Sequence, residues 1–283
     1  MKKLLVFLSI IFLSSGSVSF AACDYSCTTP YDKNSKFRTF VGAVTGVNTI
    51  TEIAAEKALR KEVLKYGSAQ KLDVNIDSFS SKDLKNGIFK SAQIQAENAQ
   101  VKGIYATAIN LKTLCDFNYL KKVDKDLVIV EDLPMSFNIE LTANDINKTM
   151  EHPNYKRIID DLNKLGATYG YGIKIASTVA SVKNSKFYYV IKFEIPFIRK
   201  LQKIVLEADV NVKNGEIIYT NTKLVSGFIS LDTKKLDFIL DYLNPLDFSV
   251  NIIDNKEANI KVKTVKIKDN KIFADGVVVI PKD

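Results

Sequence analysis

PMSFNIELTANDINKTMEHP, residues 134–153, reads as one strand running directly into one capped helix. Met135, Phe137, Ile139 and Leu141 are apolar, and Ser136, Asn138 and Glu140 between them are polar. That period of two gives a strand with one dry face and one wet face. Thr142 ends the strand. Its hydroxyl can accept from the backbone N–H groups that open a helix, and Asp145 stands near the positive helix end. Ile146 and Met150 supply an apolar edge, and Pro153 limits the helix.

Upstream, ITEIAAEKALRKEVLKY carries strong helix formers from Thr49 to Tyr66, a helix of about 25 Å at 1.5 Å per residue. Ile50, Ile53, Ala54, Ala58 and Val63 recur near helical spacing, and Gly67 is placed to stop it. Leu72, Val74 and Ile76 then alternate with polar residues, and Ser80 and Asp83 repeat the cap spacing. Two strands follow near Ile88–Ala99 and Val101–Leu114, with Gly103 as a turn or bulge. Ala92, Ile94 and Ala96 mark one face of the first; Tyr105, Thr107, Ile109 and Leu111 mark one face of the second. The small alanines leave room for a helix or a ligand, and packing on the 49–66 helix is the plainer reading.

Downstream, a helix is expected over Tyr155–Leu165, then a flexible glycine turn through Gly166, Gly170 and Gly172. The rest reads mostly as hairpins. Asn214-Gly215 is a strong turn signal, an apolar helix over Leu236–Leu243 ends at Asn244-Pro245, and strands are expected at 246–253, 257–268 and 271–280.

Residues 1–22 have the form of a secretory signal peptide. Lys2 and Lys3 lead a run of apolar residues too short to span a bilayer, and small residues follow. Ser19-Phe20-Ala21 suits ordinary signal peptidase, whereas Phe20-Ala21-Ala22-Cys23 resembles a lipobox, with Phe20 where leucine is usual. The second outcome makes Cys23 a lipidated N-terminus. Residues 23–40 read as a polar tether, and 41–283 as a single domain. Exported chains form disulfides. With Cys23 lipidated, Cys27 and Cys115 either pair or stay free; otherwise Cys23 and Cys27 can close a local loop. The expected location is the periplasm or cell envelope.

A chain of 283 residues with 46% hydrophobic content can bury a core. The formal charge of +8 falls to +6 without Lys2 and Lys3. Arginine occurs only at Arg38, Arg60, Arg157 and Arg199, so no Arg-rich stripe suggests nucleic acid; an anionic membrane surface fits better. The one histidine, His152, has no cysteine or serine elbow beside it. No zinc, calcium, phosphate-loop or dinucleotide motif occurs, and adjacent carboxylates such as Asp160 and Asp161 read as solvated. The expectation is therefore no enzyme, no cofactor and no metal.

Residues 80–104, the strand and helix at 137–153, and the run from 205–220 to 240–249 resemble the bacterial family of exported phospholipid-binding proteins typified by mycobacterial LmeA. Leu-Thr-x-x-Asp-Ile-Asn at 141–147 is the strongest element, and the similarity covers roughly residues 50–250. The resemblance implies a role in envelope lipid or lipoglycan assembly and carries over no catalytic residue. The expected fold is α+β, a twisted, mostly antiparallel sheet wrapped around a long N-terminal helix, tubular-lipid-binding-like in architecture. Incomplete closure on the helix leaves an apolar trough for phospholipid. Its candidate residues are Phe137, Ile139 and Leu141, with Ile50 and Ile53 on the helix. The alternative is an envelope adaptor with a filled core that binds a protein partner.

Overall fold

The computed structural model describes residues 27, 47–123, 126–168, 174–226, 240, 242–246 and 259–282. The expected signal peptide, Cys23, most of the tether, most of the glycine turn, most of the 236–243 helix and nearly all of the strand expected at 246–253 lie outside them. In chain order the elements begin with α1 (Val47–Tyr66), β1 (Gly67–Ser68), β2 (Lys71–Asp77), α2 (Ser81–Lys85) and β3 (Ile88–Phe89). β4 (Ser91–Val101), β5 (Ile104–Thr113), β6 (Asn118–Val123), β7 (Asp126–Ile129) and β8 (Leu133–Thr142) follow. Next come α3 (Ala143–Met150), α4 (Pro153–Thr168), β9 (Lys174–Lys183) and β10 (Lys186–Ile195). β11 (Ile198–Lys213), β12 (Glu216–Ser226), β13 (Asn259–Lys268) and β14 (Lys271–Ile280) complete the series.

The fold is α+β, with antiparallel sheets. A seven-stranded sheet runs β13-β14-β8-β5-β4, and β1 and β2 share the far edge of β4. A four-stranded sheet runs β12-β11-β10-β9, and β3-β6-β7 form a small third sheet. Hairpins build both larger sheets. Four of their turns, Lys102-Gly103, Asn184-Ser185, Asn214-Gly215 and Asp269-Asn270, hold both central residues at positive φ. That is the type I′ pattern, whose twist matches that of paired strands.

Directly opposed residues on antiparallel strands share a face. Register therefore gives one row of Val74, Ile94, Leu111, Phe137, Gly276 and Val262 across the seven-stranded sheet. The next row is Leu72, Ala96, Ile109, Ile139, Ala274 and Val265. This continuous apolar face must be covered. At the β13–β14–β8 end, α3, α4 and the four-stranded sheet join it in the largest core, with Phe187, Tyr189, Leu206 and Tyr219 fully inside. At the β2–β4 end, Leu59 and Val63 of α1 pack on Leu72, Val74, Ala96 and Ala99. The plainer reading of the alanine face thus holds, because a methyl side chain lets the helix come close.

Some local expectations hold and others are corrected. The helix stop expected at Gly67 is present, since α1 ends at Tyr66; Gly67 itself begins β1 opposite Val101, where a Cβ would sit 2.3 Å from the Gln100 carbonyl oxygen. Residues Ile88 and Phe89 leave the first long strand and pair with β6. Pro153 bounds α3, which ends at Met150, and also opens α4 at the first helical position, where its missing N–H costs nothing. The inward stripe of α1 contains Ala55, Leu59 and Val63, while Ile53, Ala54 and Ala58 are exposed. Apolar residues surround this helix, so spacing alone did not select the buried side.

Candidate functional site

The site is built from the apolar face of the seven-stranded sheet. Carboxylates as well as methyls seat α1 on it. Glu56 accepts from the Ile76 amide at 3.0 Å, and Glu52 accepts from the Ser78 hydroxyl at 2.6 Å and from its amide at 3.2 Å. These bonds satisfy donors on β2, the edge strand, and just past its end. At the other end of the face, α3 is fixed by a capping box. The Thr142 hydroxyl accepts from the Asp145 amide, while the Asp145 carboxylate accepts from the Thr142 amide at 2.8 Å. The same carboxylate accepts from the Thr107 hydroxyl at 2.6 Å, and the Tyr105 amide donates to Thr149 Oγ1 at 2.9 Å. Asp145 therefore ties α3 to β5, a structural task for a buried carboxylate.

Between these two covered zones lie Ile94, Ile109, Leu111 and Ile139. All four are part-buried, on adjoining strands and on one face. Ile94 and Ile109 border the α1 cluster, whereas Leu111 and Ile139 border the large core. The two clusters meet along this strip, and its side chains remain partly accessible.

The sequence-derived candidates divide. Phe137, Ile139 and Leu141 do share one face of β8 and belong to one core region. Phe137 is only 6% exposed, and its ring covers Gly276, whose added Cβ would lie 2.6 Å from Cζ. It fills space that a ligand would need. Ile139 and Leu141 are part-buried and pack against the same core. Ile53 is 45% exposed, on a helix packed on β2, with β4 and β5 between that strand and β8. The side chain of Ile50 lies outside the described residues. Ile94, Ile109 and Leu111 were visible as face residues in sequence, but only register places them beside Ile139.

Other groups have structural partners. Asn154 donates its amide to His152 Nδ1 at 3.4 Å, and the imidazole lies where a Cβ on Gly103 would be, 2.0 Å from Cδ2. An open groove is lined mostly by polar residues, Asp209, Asn221 and Lys266 among them, with Val210, Val265 and Ile267 between. Within it the Asp209 carboxylate accepts from Lys186 at 2.5 Å and from Asn221 at 2.9 Å. The Lys186 hydrogen bond, with that from Asn221, holds the Asp209 pKa below its ordinary value. Among the described residues no cluster of His, Cys, Asp or Glu could hold a metal ion.

Cys27 and Cys115 form a disulfide with Cα atoms 5.5 Å apart. That overturns the local Cys23–Cys27 loop, since the three cysteines then leave Cys23 without a partner in the chain. The bridge fastens Cys27 to the β5–β6 connection, which Asn118 also braces by donating to the Cys115 and Lys90 carbonyls at 2.9 and 3.0 Å.

Compared with protein-family models, curated proteins and solved structures, the chain matches none.

Proposed function

We propose that this chain is an exported, envelope-associated phospholipid-binding protein, not an enzyme, that holds acyl chains along the strip of Ile94, Ile109, Leu111 and Ile139. The observation that carries the reading is the part-buried strip on a sheet face whose two ends are covered. Such a strip gains about 0.8 kcal/mol per methylene it removes from water. The tubular-lipid-binding-like architecture belongs to the same reading: α1 and the four-stranded sheet both pack on the face that carries the strip. Export is supported by the signal-like N-terminus and the Cys27–Cys115 bridge, which belongs in an oxidising compartment. Cys23, left over by that bridge, is the proposed lipidated anchor. The reading places the protein in envelope lipid or lipoglycan assembly.

Ile139→Asp should abolish copurification of phospholipid, because it sets a charge on the floor of the strip. Ile109→Phe should reduce the lipid load by filling the strip while keeping an apolar surface. Lipid extraction with circular dichroism on both variants checks this. Folded variants with an undiminished lipid load would remove the strip from the account.

The filled-core adaptor is the second reading. It is favoured by the Phe137 ring over Gly276, which closes part of the face to any ligand.

A further inference from the structure

EIPFIRKLQK, residues 194–203, forms the tip of the β10–β11 hairpin. Ile195 pairs with Ile198, leaving Pro196 and Phe197 as the two-residue turn. Proline fixes the φ suited to the first turn position, and a positive φ follows at the second, where glycine or asparagine is usual. Here that residue is Phe197, at φ 68. A phenylalanine in the left-handed region is strained, and this one recovers nothing by packing, since it is fully exposed. Ile198 and Leu201 beside it are 48% and 49% exposed. The pairing then skips. Phe193 faces Gln202, so Arg199, Lys200 and Leu201 oppose the single residue Glu194 in a bulge.

The charge around this apolar tip is mostly positive. Arg199, Lys200 and Lys203 are exposed and enter no ion pair among the described residues. Lys203 stands directly opposite Lys192, an arrangement that destabilises a sheet. The one acid of the stretch, Glu194, lies 3.9 Å from Lys174. A strained aromatic apex, two exposed aliphatic residues and a collar of unpaired cations form a surface unfavourable in water and complementary to an anionic bilayer. There, apolar side chains enter the acyl boundary and cations meet phosphates.

We propose that the β10–β11 tip docks the protein on an anionic phospholipid leaflet, with Phe197, Ile198 and Leu201 inserted and Arg199, Lys200 and Lys203 on the headgroups. This inference rests on the envelope-lipid reading and gives it a membrane-facing site distinct from the strip. The test uses the exported chain carrying Cys23→Ser, so that no acyl anchor contributes. Vesicles are equal parts phosphatidylglycerol and phosphatidylcholine, with pure phosphatidylcholine as control. Phe197→Asn should lower cosedimentation affinity for the anionic vesicles roughly tenfold while leaving the melting temperature unchanged or raised, because asparagine suits positive φ. Arg199→Gln with Lys200→Gln should lose most of the preference for anionic over neutral vesicles. Equal vesicle binding by parent and both variants overturns the proposal. So does a change in self-association with Phe197→Asn at unchanged vesicle binding, which would assign the tip to a second copy. Lipid extracted from the same preparations separates the two readings. Phe197-dependent docking by a lipid-free protein sinks the strip and keeps the tip; a lipid-loaded protein indifferent to Phe197 does the reverse.

Discussion

At the scale of single residues, a buried tyrosine pair anchors the largest core. Tyr155 and Tyr189 meet hydroxyl to hydroxyl, and Tyr155 also donates to the Leu243 carbonyl at 3.2 Å. Burial, first among the causes, raises both phenols above their ordinary value of 10.0. The fold binds these protons more tightly than the unfolded chain does. Their contribution is thus intact below the ordinary value and lost as pH rises beyond it. Tyr189→Phe should cost about 1 kcal/mol at neutral pH and flatten the alkaline loss, and Tyr155→Phe should cost more, about 2 kcal/mol, by stranding both partners. Urea unfolding at neutral and alkaline pH reads both effects. Residue-scale signals varied in how well they could be read. Thr142 with Asp145 and Ser80 with Asp83 announce their caps, because capping chemistry is local. Phe137 does not announce that it fills the core. An apolar residue at period two looks the same whether it lies under a ligand or over a glycine on a distant strand.

Among the elements, the Cys27–Cys115 bridge stabilises most directly. It closes a loop of sequence separation 88 and ties Cys27 to the loop that positions β6. Removing it through Cys115→Ser should cost about 4 kcal/mol on chain-entropy grounds, read as a lower melting temperature than that of the oxidised parent. Hairpin turns and strand periods were readable in sequence, Asn214-Gly215 above all. The destination of the last two strands was not. β14 inserts beside β8, with Ile272 opposite Leu141 and Ala274 opposite Ile139. Nothing local specifies so distant a pairing; it follows from burying the apolar faces of both strands. The orientation of α1 was hidden for a related reason, since Glu52 and Glu56 face inward to bind the Ser78 and Ile76 amides.

Across the whole molecule, one apolar sheet face is shared by two clusters, and a part-buried strip runs where they meet. The lipid account joins that strip to a basic, apolar hairpin tip and a positively charged chain. Among the described residues no helix is long and apolar enough to cross a membrane. The most direct test of bound lipid is native mass spectrometry, with lipid extraction, on the exported chain purified without added lipid. The account predicts phospholipid retained in stoichiometric amount. A lipid-free protein that also takes none from anionic vesicles would contradict it and turn the reading to the filled-core adaptor.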